Sequence, residues 1–170
     1  MKFINWIKSL FAPSSEGAKA QETAKPCASP KSNAQTTPYE WALSQLGVNE
    51  RTHPATVKKY LQVVRLGNYD PRETAWCAAF VNWCLAQSGI QGTGKPNARS
   101  FLHVGDEVKV PQKGDIVVFW RSSKKSWKGH VAFFNELTSS GDIVVLGGNQ
   151  NNEVCYKIYP KERLLGYRRV

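Results

Sequence analysis

A thiol, an imidazole and a carboxamide occur along this 170-residue chain in settings that suit acyl transfer. Cys77 lies in Asp70-Pro71-Arg72-Glu73-Thr74-Ala75-Trp76-Cys77-Ala78-Ala79-Phe80-Val81-Asn82-Trp83-Cys84-Leu85, the strongest helical pattern of the sequence. A thiolate attacks carbonyl carbon well, but a free cysteine is mostly protonated near neutral pH. A helix N-terminus or a neighbouring histidine must lower its pKa. Thr74 is a suitable N-cap, which makes Cys77 the third helical residue, within the field of the helix dipole. Its backbone N–H then stays free to hold an oxyanion. A rival start exists at Asp70-Pro71-Arg72-Glu73, a capping box with proline in first position. A helix unbroken from there would carry Cys77 two turns inside, so a break near Thr74 is the reading preferred here.

His130 follows Gly129 at the mouth of a short apolar run, Val131-Ala132-Phe133-Phe134. A strand there holds the ring rigidly, and the glycine permits close approach. The next such run ends in Gly147-Gly148-Asn149-Gln150-Asn151. The side-chain carbonyl of Asn149 is expected to accept the imidazole N–H and fix the tautomer that faces the thiol; Asn151 is the alternative for that role. His53, beside Pro54, and His103, outside any strand pattern, are poorer bases. Because Cys and His occur separately in most proteins, the pair alone has low specificity. The competing reading of any cysteine on an apolar helix is a small buried hydrophobe, and Cys84 and Cys155 are read that way.

The elements that position these groups change character halfway along the chain. Tyr39 to Gly47 and Pro54 to Leu66 have helical spacing, and the Cys77 helix ends at Ser88-Gly89. Beyond residue 114 the period shortens. Ile116-Val117-Val118-Phe119-Trp120, Val131 to Phe134, Ile143 to Leu146, Val154 to Tyr159 and Leu164 to Arg168 are β-branched or aromatic runs separated by Gly, Asp and Ser turns. Helices first and strands later predict an α+β fold, with N-terminal helices packed on an antiparallel β-sheet.

Three segments are expected. Residues 1–11 form a short amphipathic pattern, with Phe3, Ile4, Trp6, Ile7, Leu10 and Phe11 opposed to Lys2, Asn5, Lys8 and Ser9. Lys8 breaks the apolar run and no small-residue cleavage site follows closely, so the pattern is not a secretory signal. Weak membrane engagement or docking to a delivery partner, and a self-packed N-terminus, are the two readings of it. Residues 12–38, rich in Ala, Ser, Pro, Lys, Gln and Thr, read as a flexible linker. Residues 39–170 are the folded domain, and 170 residues suit one domain rather than two.

With 41% hydrophobic and 21% charged residues, and six Trp, six Tyr and seven Phe, the chain has enough large side chains to fold without a metal or disulfides. Four cysteines, Cys27, Cys77, Cys84 and Cys155, form no CxxC pair, which speaks against a structural zinc site. Seven helical residues separate Cys77 from Cys84 by about 10.5 Å, beyond the roughly 7 Å a disulfide allows. No cofactor or metal is expected. The net charge of +10 bears on partners, with anionic wall polymer, membrane surface and nucleic acid as candidates. Nucleic acid is not expected, because no recognised motif or basic helix accompanies the charge. Lys124-Lys125-Ser126-Trp127-Lys128 is the one basic cluster, read as a solvated loop or as an anion-contacting loop beside a site.

The stretch Glu73-Thr74-Ala75-Trp76-Cys77 through Leu85 resembles the nucleophile helix of small bacterial and phage peptidoglycan hydrolases of the CHAP and NlpC-type group. The resemblance continues, in order and spacing, through Ala98-Arg99-Ser100-Phe101-Leu102, Gly114-Asp115-Ile116-Val117-Val118-Phe119, Gly129-His130-Val131-Ala132-Phe133, Val145-Leu146-Gly147-Gly148-Asn149-Gln150 and Leu164-Leu165-Gly166-Tyr167-Arg168. It implies a papain-like core over residues 39–170 and a cysteine peptidase or amidase with Cys77, His130 and Asn149 as its catalytic set. The implied substrate is the stem peptide of peptidoglycan. A phage-type lysin or an antibacterial effector toxin fits that activity; a non-catalytic wall-binding module that kept the fold is the alternative. Such a protein is made in the cytoplasm and acts in the periplasm or on the wall after passage through a holin or a secretion system. An immunity protein or delivery apparatus is then an expected partner, and the chain is expected to be a monomer. Muramoyl–L-alanine amide, D-Glu–diaminopimelate and cross-bridge bonds all fit as targets.

Overall fold

A capping box starts the first helix. The Thr37 hydroxyl accepts from Glu40 N at 3.2 Å, and the Glu40 carboxylate accepts from Thr37 N at 2.7 Å. The structure, a computed structural model, describes residues 35–170, so the amphipathic pattern of 1–11 and most of the expected linker lie outside the described residues. Helix α1 (Pro38–Leu43) is shorter than its periodicity predicts; the chain leaves it by turns that end at Gly47, whose φ of 79° favours glycine. Helix α2 (Pro54–Val63) also stops early and buries Val57, Tyr60 and Leu61.

Helix α3 (Cys77–Gln87) is buried on nearly every side, from Cys77 through Asn82 and again at Cys84 and Leu85. A helix apolar all round belongs in a core. It packs on α1 and α2 on one side and on the sheet on the other. Tyr60 fits edge-on to Phe80, with ring centroids 5.2 Å apart. Asn82 is the polar exception. Its amide donates to the carbonyls of Ala78 and Lys95, and its oxygen accepts from Gly94 N at 2.9 Å, which ties the following loop back onto α3.

Six antiparallel strands form one sheet in the order β1-β6-β2-β3-β4-β5. They are β1 (Asp106–Val108), β2 (Ile116–Trp120), β3 (Gly129–Leu137), β4 (Ile143–Gln150), β5 (Glu153–Tyr159) and β6 (Leu164–Arg169). Strand β1 has no apolar run and was not legible in the sequence. Strands β3 and β4 extend well past their apolar stretches. Ile116, Val118, Val131, Phe133, Leu146 and Val154 face the helices. The opposite face is buried too, around Val117, Phe119, Ala132, Phe134, Ile143, Val145 and Tyr167. That second core exists because the sheet coils on itself. The rings of Phe119 on β2 and Tyr159 on β5 stack at 4.5 Å, although β3 and β4 lie between those strands in the ladder. Irregular registers at Val118/Phe119, Phe134/Glu136 and Gly147/Gln150 supply the extra twist.

Arg169 at the end of β6 grips Asp115 at the start of β2 through two hydrogen bonds of 2.8 and 2.7 Å, closing this end of the sheet. The expected α+β architecture, helices on an antiparallel sheet, is the observed one. No described helix is long and apolar enough to cross a membrane.

Candidate active site

Cys77 is the first residue of α3, not the third. Trp76 occupies the N-cap position with φ −118° and ψ 13°, and no side chain caps the helix. Neither start read from the sequence is used. Asp70 accepts from Arg72 N at 2.9 Å and pairs with the Arg72 guanidinium at 2.6 Å, which makes a local turn of the rival start. The preferred break therefore exists, with the N-cap two residues later than Thr74. The first helical N–H that finds an intrahelical acceptor is that of Phe80, on Trp76 O, leaving the first turn's N–H groups at Cys77, Ala78 and Ala79 outside the helical ladder. The Trp76 indole donates to the buried Glu50 carboxylate at 2.9 Å, which anchors the N-terminal end of α3.

His130 is the second residue of β3 and is almost fully buried. The glycine before it matters as expected: a Cβ at Gly129 would stand 3.0 Å from Phe119 O. The imidazole partner differs from the one expected. Nε2 of His130 lies 3.0 Å from Oε1 of Gln150, whereas Asn149 lines the neighbouring cleft and Asn151 Oδ1 accepts from Lys157 Nζ at 2.9 Å. The reason is a parity change. The pairing of β4 with β5 slips between Gly147 and Gln150, and Asn149 takes a left-handed φ of 56°, so Gln150 points inward in its place.

This contact fixes the proton. The Gln150 NH2 donates to the carbonyl of Cys155, a group that only accepts, so its oxygen must be the end that faces His130. The imidazole therefore donates through Nε2 and keeps Nδ1 unprotonated. A ring in that tautomer accepts a proton at Nδ1, which is what a general base needs. Tyr159 holds the ring from one side, stacked at 5.1 Å and 20°. Aromatic stacking thus runs from Phe119 through Tyr159 to His130.

Cys77 and His130 share their surroundings. The backbone N–H of Val131, the residue after His130, and the charge of Arg121 act on the Cys77 thiol, and the thiol in turn acts on Tyr159. Burial raises the thiol above its ordinary value; the N–H groups of Val131 and Ala78 and the charge of Arg121 oppose that rise. Burial brings His130 down to about 4, aided by the charges of Arg121 and Lys157 and opposed by its Gln150 hydrogen bond. Near neutral pH the resting pair is thus thiol and neutral imidazole, with the base free.

Two clefts meet here. One, of about 570 Å³, has His130 and Asn149 in its wall. The other, of about 340 Å³, has Cys77, Trp127 and Lys128 in its wall. Ala75 and Arg121 border both. The basic cluster thus lies on the loop beside the Cys77 cleft. Arg99 clamps that loop by donating to the carbonyls of Ser123, Lys124 and Lys128. Tyr159 and Arg121 escaped the sequence reading because neither belongs to a motif, and Gln150 did because its motif was read with Asn149 or Asn151 facing the imidazole; only the coil of the sheet gathers the three. His53 and His103 are exposed on other elements, and Cys84 is buried behind the site.

Residues 68–149 match the family model described as the CHAP domain. No curated protein matches the chain. Among solved structures, a Staphylococcus aureus protein described as similar to lipoprotein of the NLP/P60 family is similar at 17% identity with a TM-score of 0.42. The likeness covers 68% of this chain and 41% of that one, so the chain spans less than half the length of that structure.

Proposed function

With residues 68–149 matching the CHAP domain model, we propose that the chain hydrolyses an amide bond of the peptidoglycan stem peptide through an acyl-enzyme on Cys77. CHAP domains are in general cysteine-dependent amidases or endopeptidases, and that class supports a hydrolase-type function on the bacterial wall. The observation that supports the assignment to particular residues is the Gln150–His130 contact, because it leaves Nδ1 of a buried imidazole unprotonated; the proposal sets that nitrogen against the thiol of Cys77 at the N-terminus of α3.

In the proposed reaction His130 Nδ1 takes the Cys77 proton as sulfur attacks the amide carbonyl. The developing oxyanion is held by N–H groups of the first turn of α3. Imidazolium then gives its proton to the leaving amine, and the C–N bond breaks. Water, activated by the same imidazole, releases the acyl group and regenerates the thiol. Gln150 keeps the ring in register throughout, a positioning role proposed for it in place of Asn149. The net charge of +10 helps retain the protein on anionic wall polymer. A phage-type lysin and a delivered antibacterial effector both use this chemistry.

Purified protein and its Cys77→Ala variant, incubated with sacculi and followed by mass spectrometry of released muropeptides, provide the test. New fragments from the wild type alone are expected, and their masses identify the bond. Sacculi that are bound but yield no fragments in reducing buffer would establish the wall-binding alternative instead.

A further inference from the structure

The His130 cleft has an unbalanced wall. Arg121, Lys157 and Arg163 all line it, and among the described residues none of the three has a carboxylate within ion-pair distance. The ion pairs among the described residues are Arg72 with Asp70, Arg168 with Glu107 and Arg169 with Asp115, so the one other basic residue of this wall, Arg72, is paired while these three are not. Two of the three unpaired cations have neutral supports. Lys157 Nζ donates to Asn151 Oδ1 at 2.9 Å, and the Arg163 guanidinium sits 5.6 Å from the centre of the Trp120 ring. The carboxylates of the same cleft are Glu50 and Glu73. Glu50 takes the Trp76 indole and belongs, with Arg72 and Asn152, to a neighbouring hollow at the β4–β5 turn. Glu73 is the other carboxylate of the wall, and it too forms no ion pair with Arg121, Lys157 or Arg163, so the three cations stand unpaired in the wall that His130 shares.

Arg121 has the decisive position. It follows the last residue of β2, its backbone N–H donates to Lys128 O at 3.2 Å, and it is one of two residues bordering both clefts. A substrate lying across Cys77 passes it. The planar fork of a guanidinium matches a carboxylate in two parallel hydrogen bonds, and a cleft wall excludes some of the water that would screen the pair.

We infer that the His130 cleft reads a free carboxylate flanking the cleaved amide, with Arg121 as its principal contact and Arg163 and Lys157 supporting it. The substrate class is then an acidic stem peptide rather than one whose carboxylate is amidated. This rests on the proposed wall-peptide substrate and adds to it a specificity that the chemistry of Cys77 and His130 does not require.

The test uses full-length Cys77→Ala protein and calorimetry with two synthetic muramyl stem peptides, identical except for D-glutamate in one and D-isoglutamine in the other. The carboxylate peptide is expected to bind about tenfold or more tightly, a difference of about 1.4 kcal/mol. Adding Arg121→Gln should bring the ratio near one, and Arg121→Lys should restore part of it. Cleavage by the Cys77 enzyme gives the second readout, the ratio of kcat/KM for the two peptides. An effect of Arg121 on the thiol cancels in that ratio, since one enzyme acts on both substrates. Equal affinity for the two peptides, binding of neither, or a preference that survives Arg121→Gln would overturn the inference. Selective binding with no cleavage would sink the proposed hydrolysis and leave the carboxylate site standing; cleavage of both peptides at equal rates would do the reverse.

Discussion

His130 Nε2 stands 3.0 Å from Gln150 Oε1, and the Gln150 NH2 is committed to the carbonyl of Cys155. One side chain therefore reads the backbone of β5 and sets the tautomer of a ring on β3. Its oxygen accepts, so the ring's free lone pair is on Nδ1.

Replacing Gln150 by Ala should remove that setting while leaving Cys77 in place. Activity on sacculi is expected to fall on the order of 10²-fold, the scale of a correctly poised general base. Gln150→Glu should instead put a carboxylate against the ring and raise the imidazole pKa. Its pH–rate profile is expected to lose activity at a higher pH than the wild type. A profile with the wild-type acid limb would remove Gln150 from the positioning role.

Acid should affect both activity and stability through His130. Burial brings its folded-state value to about 4 from an ordinary 6.5, so the base stays neutral, and kcat/KM should hold, down to the region of pH 4. Between those two values the unfolded chain binds the proton and the folded chain does not. Stability therefore rises with pH across that window and is lost as pH falls through it, by up to about 3 kcal/mol. Denaturant titrations from pH 4 to 7 should show a flatter dependence for His130→Gln than for the wild type; parallel curves would contradict the burial of a neutral imidazole.

Gly148 keeps α3 and β4 in contact. A Cβ there would lie 2.5 Å from the Trp76 ring and 2.8 Å from Phe80. Gly148→Val is expected to cost roughly 1–3 kcal/mol by overpacking, and to push the start of α3, and Cys77 with it, away from β3. Activity should fall further than stability accounts for. Gly94→Ala is the control: it has nothing within 4 Å, and its φ of 62° limits the cost to about 1 kcal/mol with activity retained. Equal activity in the two variants, measured well below their melting temperatures, would show that the α3–β4 spacing does not set the geometry of the pair.

Much of this was legible in the residues themselves. Helical and strand periodicities are local, so the helix of Cys77, the strand of His130 and the helices-then-strands order could be read in one dimension. The choice of Cys77 and His130 as the proposed reacting side chains follows from which residue types perform acyl transfer. What stayed out of reach depends on contacts between residues distant in the chain. Cys77 opens α3 because Asp70 turns back on Arg72 and the Trp76 indole is held by Glu50, both outside the helical pattern. Gln150 replaces Asn149 because a slipped register reverses which side chains of β4 face inward, and a two-residue period carries no mark of that slip. Arg121, Lys157, Tyr159 and Arg163 come from the end of β2, from β5 and from the turn before β6, and they meet in the His130 cleft only because the sheet coils until Tyr159 reaches Phe119. The sequence by itself determined the elements that carry the proposed nucleophile and base; the tertiary structure alone decided the tautomer, the pKa directions and the charge of the cleft, since each of these is a sum over neighbours that only folding brings within range.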